Sequence, residues 1–211
     1  MNQVELIHTT PDGEQLIAYM ARVSNPNAKP EDSGSKLVRY LIKHGHWSPL
    51  EMVSMCVKIR TTRSIAAQIL RHRSFSFQEF SQRYSVVSDR PGPLQVRSQD
   101  KKNRQNSIDN VDPFKQQAFQ LKAANLYKMQ YSLYQEMLEA GVAKECAREV
   151  LPLSAPTTMY MHGNLRSWIH YCQLRCADGT QLEHKVIADQ CADLIELNYP
   201  DIYEAALCVP S

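Results

Sequence analysis

The run Thr61-Thr62-Arg63-Ser64-Ile65-Ala66-Ala67-Gln68-Ile69-Leu70-Arg71-His72-Arg73, with Glu79, Ser81 and Arg83 close behind it, decides how this chain folds. Its first part predicts a short helix reaching His72, capped by a threonine and carrying Ile65, Ile69 and Leu70 on one side. Gln68 then lies one turn from Arg71 and His72. After Arg73 the pattern becomes extended, and Glu79, Ser81 and Arg83, spaced by two, point the same way. Helix end and extended segment are expected to converge on one pocket. Phe75, Phe77 and Phe80 make the stretch too apolar for a solvated charge run.

Such a mixture suits a flat, anionic ligand. The planar Arg fork grips phosphate through two parallel bonds, each worth roughly 1.5–3 kcal/mol. Glu79 can accept ligand hydroxyl or imide hydrogens or hold an Arg in place, and Ser81 can donate or accept. No base stands beside Ser81 in sequence and no Gly-x-Ser-x-Gly surrounds it, so its role is binding rather than attack. Spacing alone also allows a helix end with Arg–Glu salt bridges and a serine-rich turn.

Outward from this stretch, Val4–His8 reads as a strand and Asp12 as the cap of a helix with Leu16, Ile17 and Met20. A second helix, Ser35–His44, stops at Gly45. Glu51–Arg60 alternates as a strand, with Val53, Met55, Val57 and Ile59 on one face. Pro113 opens a long helix ending at Gly141, whose stripe of Ala118, Leu121, Leu126, Met129, Leu133 and Leu138 marks core or a subunit interface. Lys144–Leu151 is a short helix, Ala155–His162 a strand and Leu165–Arg175 a helix. On that last helix Leu165, Trp168, Ile169, Cys172 and Cys176 share one face, Arg166, His170 and Gln173 the other, and Arg175 the border. Without a regular βαβ rhythm the expected class is α+β: a mixed sheet packed with long helices in one domain spanning 1–211. Residues 89–112, with Pro91-Gly92-Pro93 and a polar run after it, read as a mobile surface loop.

Composition narrows the function. With 211 residues and 43% hydrophobic content one core is affordable, and a formal charge of +2 localises Arg instead of spreading a nucleic-acid-binding field. No Gly-x-Gly-x-x-Gly or phosphate loop can be built from the seven glycines, so phosphate must be held by side chains and helix N-termini. The six cysteines form no Cys-x-x-Cys pair and read as reduced. No metal site is expected, since Zn²⁺ needs three or four convergent ligands. No leader and no apolar run of about 18 residues is seen, so a cytoplasmic location without membrane contact is expected. From the residues alone, a nucleic-acid-binding regulator using Arg71, Arg73, Arg97, Lys101, Lys102 and Arg104, and a nucleotide-binding structural protein, stay open.

Arg71-His72-Arg73, seven residues, then Ser81 resembles the signature of the flavin-dependent thymidylate synthases. His46-Trp47-Ser48-Pro49-Leu50-Glu51 is similar to the family's upstream flavin segment, Ala147-Arg148-Glu149-Val150-Leu151-Pro152 to its middle nucleotide motif, and Asn164-Leu165-Arg166 through Leu174-Arg175 to its last helix. The order and spacing hold from about residue 16 to 198. The resemblance implies methylation of dUMP to dTMP with 5,10-methylenetetrahydrofolate, FAD re-reduced by NADPH, no cysteine nucleophile, and a homotetramer. Residue by residue it implies that His46, Glu51, Arg71, His72, Arg73, Asn164, Arg166 and His170 hold FAD, and that Gln68, Glu79, Ser81, Arg83, Arg148 and Arg175 hold dUMP. Arg175 is the expected catalytic residue, stabilising charge on the uracil ring.

Overall fold

The computed structural model describes residues 2–24 and 34–208. In order the elements are β1 (Gln3–Thr9), α1 (Gly13–Ala21), α2 (Gly34–Lys43), β2 (Ser54–Thr62), α3 (Arg63–Ile69), β3 (Ser76–Glu79), β4 (Ser98–Gln99), β5 (Ser107–Ile108), α4 (Pro113–Glu139), α5 (Lys144–Ala147), β6 (Pro156–Asn164), α6 (Leu165–Arg175), α7 (Leu182–Asn198) and α8 (Pro200–Ala206).

The α+β expectation holds, but the main sheet, ordered β1-β2-β6-β3, pairs antiparallel throughout instead of being mixed. The connections explain this. Two helices packed on each other, α1 and α2, carry the chain out and back, so β2 starts at the end where β1 stopped. A single helix, α3, links β2 to β3, which therefore run in the same direction, and β6 inserts between them in the opposite sense.

Period-two alternation fixes the register. Met55, Val57, Ile59 and Thr61 of β2 sit opposite Gly163, Met161, Met159 and Thr157 of β6, all on the buried face. Against that face pack Ile65 and Ile69 of α3, Trp168, Ile169 and Cys172 of α6, and Ile187, Cys191 and Ile195 of α7. The Trp168 indole N–H donates to the Met55 carbonyl at 3.0 Å, so the largest core side chain leaves no buried donor unpaired. Gly163 is required by contact: a Cβ there would lie 2.5 Å from the Phe75 ring, which in turn meets Trp168 edge-on at 4.8 Å.

Several sequence expectations shift. Asp12 precedes α1 at φ 50 without a side-chain capping bond. The strand expected from Glu51 starts at Ser54, because Ser48–Met52 turns as a 3-10 helix with Pro49 at its start. The helix expected through His72 ends at Ile69; His72 N–H bonds to the Ile69 carbonyl in a tighter turn, and Leu70 is exposed. Residues 89–112 carry the β4–β5 hairpin, tied by Arg97 to Ser107 at 2.8 Å and to Glu183 at 2.7 Å. On α4 the apolar stripe is not core: Leu121, Leu126 and Met129 are 64%, 53% and 69% exposed, while Tyr131 and Tyr134 are the buried residues. Helices α7 and α8, not delimited from sequence, close the core.

Candidate active site

Arg175 ends α6, partly buried, and its Nε donates to Nε2 of His72 at 3.0 Å across 103 residues. Accepting that bond requires a neutral His72 ring with its proton on Nδ1. Burial first, then the charges of Arg175 and His170, hold the His72 pKa down to about 4. Among the described residues no carboxylate pairs with Arg175, so its terminal Nη groups are uncommitted. A guanidinium anchored by a neutral partner keeps its full charge for a ligand.

Behind this pair lies a group that sequence reasoning missed. His184 of α7 is fully buried; its Nε2 meets the Tyr171 hydroxyl at 3.1 Å and its Nδ1 meets Oε1 of Gln68 at 3.4 Å. Burial, then the charges of Arg175 and His72, lower its pKa to about 3. Tyr171 also meets the His72 ring edge-on at 4.9 Å, and its own pKa is raised by burial. Gln68 donates from Nε2 to Gln181 Oε1 at 2.7 Å. The available signal was a His on the apolar stripe His184, Ile187, Ala188, Cys191, Ile195.

Glu79 closes β3 with its carboxylate mostly buried, accepting from Arg63 Nη1 at 2.6 Å and from the Thr157 hydroxyl at 2.9 Å, both on Oε1. Arg63, the first residue of α3, was not singled out from sequence. The extended segment ends at Glu79: Tyr84 and Ser85 bond back to the Ser81 carbonyl, so Ser81 and Arg83 sit in a turn and do not continue the line of Glu79. Arg83 instead reaches Glu145 at 3.0 Å, one turn before Arg148. No hydrogen bond or ion pair among the described residues joins Arg83 or Arg148 to Arg175.

The residues assigned to flavin form a third group. Glu51 of the Ser48–Met52 turn pairs with Arg166 in the first turn of α6, and Asn164 caps that helix by accepting from Ser167 N–H at 2.9 Å. His170 lies one turn beyond Arg166 on the exposed side. His46 is exposed, 6.1 Å from the Tyr40 ring. Arg71 and Arg73 are exposed and make no ion pair among the described residues.

A well-formed cleft of about 360 Å³ is lined by Arg60, Phe80, Val87, Asp89, Arg90 and Thr157 and holds none of the assigned residues. Arg71, Arg73, Arg83 and Arg166 are exposed, while Arg148 and Arg175 are half-buried. All six cysteines are free, and no helix among the described residues is long and apolar enough to cross a membrane.

An α+β scaffold that displays uncommitted guanidiniums beside a neutral imidazole, without any glycine-rich phosphate loop, is suited to hold an anion by side chains. Comparison with known proteins gives the family. A model described as "Thymidylate synthase complementing protein" matches residues 5–201. The chain is 51% identical over 193 residues to a probable flavin-dependent thymidylate synthase of Paramecium bursaria Chlorella virus 1, covering 91% of this chain and 89% of the relative. It is 47% identical over 196 residues to a flavin-dependent thymidylate synthase of Synechocystis sp., covering 93% and 89%. A crystal structure of the UMP/dUMP methylase PolB from Streptomyces cacaoi, bound with 5-Br dUMP, superposes with a TM-score of 0.85 at 27% identity, over 97% of this chain and 94% of that one. The chain belongs to the family of flavin-dependent thymidylate synthases and is an enzyme of that family.

Proposed function

We propose that this enzyme converts dUMP to dTMP, taking the one-carbon unit from 5,10-methylenetetrahydrofolate and the hydride from FAD that NADPH re-reduces, without a cysteine nucleophile. The observation that carries the reading is Arg175: a partly buried guanidinium, oriented through Nε by neutral His72 and free of any carboxylate among the described residues. Its relatives' names supply the nucleotide and the flavin.

A uracil ring carbon bonds the methylene carbon as that carbon's bond to the folate nitrogen breaks and the ring proton leaves, negative charge passing meanwhile to a carbonyl oxygen, and a hydride takes the new carbon to the methyl level. Arg175 donates from Nη to that oxygen and stabilises the enolate as it forms. The flavin, when bound, supplies the hydride. Glu79 keeps Oε2 for a nucleotide donor while Arg63 and Thr157 fix Oε1. Gln68, Ser81, Arg83 and Arg148 complete the nucleotide's hydrogen bonds. The exposed cations Arg71, Arg73 and Arg166, with His46, His72, Glu51, Asn164 and His170, suit a dinucleotide pyrophosphate and its polar rings.

Two features support a homotetramer with shared sites: the exposed apolar stripe of α4, and the different partners of Arg83, which pairs with Glu145, and Arg175, which bonds His72. The test is flavin absorbance of the purified protein together with dTMP formation from dUMP, methylenetetrahydrofolate and NADPH. Colourless protein with no dTMP would overturn the reading.

A further inference from the structure

We infer that His184 is a positioning residue: bonded to Tyr171 through one ring nitrogen and to Gln68 through the other, it turns the Gln68 amide so that its NH₂ group is presented as a donor to the nucleotide. The inference deepens the proposed function and rests on it.

The order of the bonds follows from who can donate. The Tyr171 hydroxyl is fully buried and its contact is His184 Nε2 at 3.1 Å. A phenol donating to Nε2 leaves the imidazole proton on Nδ1, which faces Gln68 Oε1 at 3.4 Å. With Oε1 engaged as acceptor, the Gln68 NH₂ must point the other way, and there it meets Gln181 Oε1 at 2.7 Å. Gln181 passes the same polarity on, donating to Glu183, which Arg97 holds from the β4–β5 hairpin. Every group in this line has one direction. Reversing the Gln68 amide would set its carbonyl against Gln181 Oε1; in the observed orientation Gln181 takes one hydrogen of the NH₂, and the second is the donor that a phosphate or uracil oxygen of a uridylate would accept. His184 touches neither nucleotide nor flavin in the proposed site; it acts on the nucleotide through Gln68, and the flavin spectrum reads any effect passed through Tyr171 to His72.

The experiment separates the two nitrogens. Asn at 184 places an amide NH₂ near the Nδ1 position, whereas Gln reaches the Nε2 position. His184→Gln and His184→Leu are expected to weaken dUMP binding about tenfold, the size of one lost hydrogen bond to a bound group. His184→Asn should recover most of that affinity, and all three should keep the wild-type flavin spectrum. Tyr171→Phe, which removes only the hydroxyl, should fall between, and it decides the matter if the His184 variants do not fold. Wild-type protein that fails to bind dUMP overturns the parent reading and this one with it. Wild-type binding with equal affinity in His184→Asn, His184→Gln and Tyr171→Phe overturns the role of His184 only.

Discussion

Replacing Arg175 with Ala removes three things at once: the Nη donors, a positive charge in a partly buried position, and the Nε–H that His72 accepts at 3.0 Å. For the reaction, the loss of one donor aimed at developing oxygen charge is typically a factor of about 10²–10³, or roughly 2.7–4 kcal/mol. For His72, the second-largest cause of its lowered pKa disappears, so the ring should titrate above about 4, toward its ordinary 6.5. Turnover at saturating dUMP, measured as dTMP formed, should fall by about 10²–10³ while the flavin spectrum persists. The His72 ring proton resonance, followed against pH, should move its midpoint upward in the same variant. Near-normal turnover removes Arg175 from the chemistry; an unmoved midpoint removes the Arg175–His72 contact.

Arg83→Ala and Arg148→Ala should each weaken dUMP binding by about tenfold, one charge-assisted bond, in titration calorimetry, and unchanged affinity in both would contradict their placement on the nucleotide. Acid should destabilise the fold through His72 and His184. Their folded pKa values, about 4 and about 3, lie below the unfolded 6.5, so the unfolded chain binds protons first. Their contribution is therefore complete above about pH 6.5 and lost as pH falls toward 3, and a denaturation midpoint flat over that window would refute the burial of neutral rings. Gly163→Ala drives a Cβ to 2.5 Å from the Phe75 ring and should cost about 1–3 kcal/mol of stability; a melting temperature equal to wild type would show that Phe75 moves freely.

Local pattern determined much of this molecule. Alternation placed the strand around Met55 to Ile59, because a period of two sorts side chains to opposite faces whatever the neighbours are, and residue type marked the one around Thr157 to Met161. The amphipathic spacing of Leu165, Trp168, Ile169 and Cys172 likewise delimited α6 at Leu165–Arg175, since one stripe must meet the core. Motif spacing pointed to the arginines and to the family. Partnership was not legible. That His72 is neutral and holds Arg175, that Glu79 belongs to Arg63 and Thr157, and that Arg83 turns away to Glu145 depend on segments 16 to 103 residues apart meeting in space. Burial of His184 was equally hidden, because whether a histidine on an apolar stripe is desolvated depends on what covers it, here Tyr171 and Gln68. The sequence determined which chemistry the chain carries; only the tertiary structure decided which charges were already paired and which were left to meet a ligand.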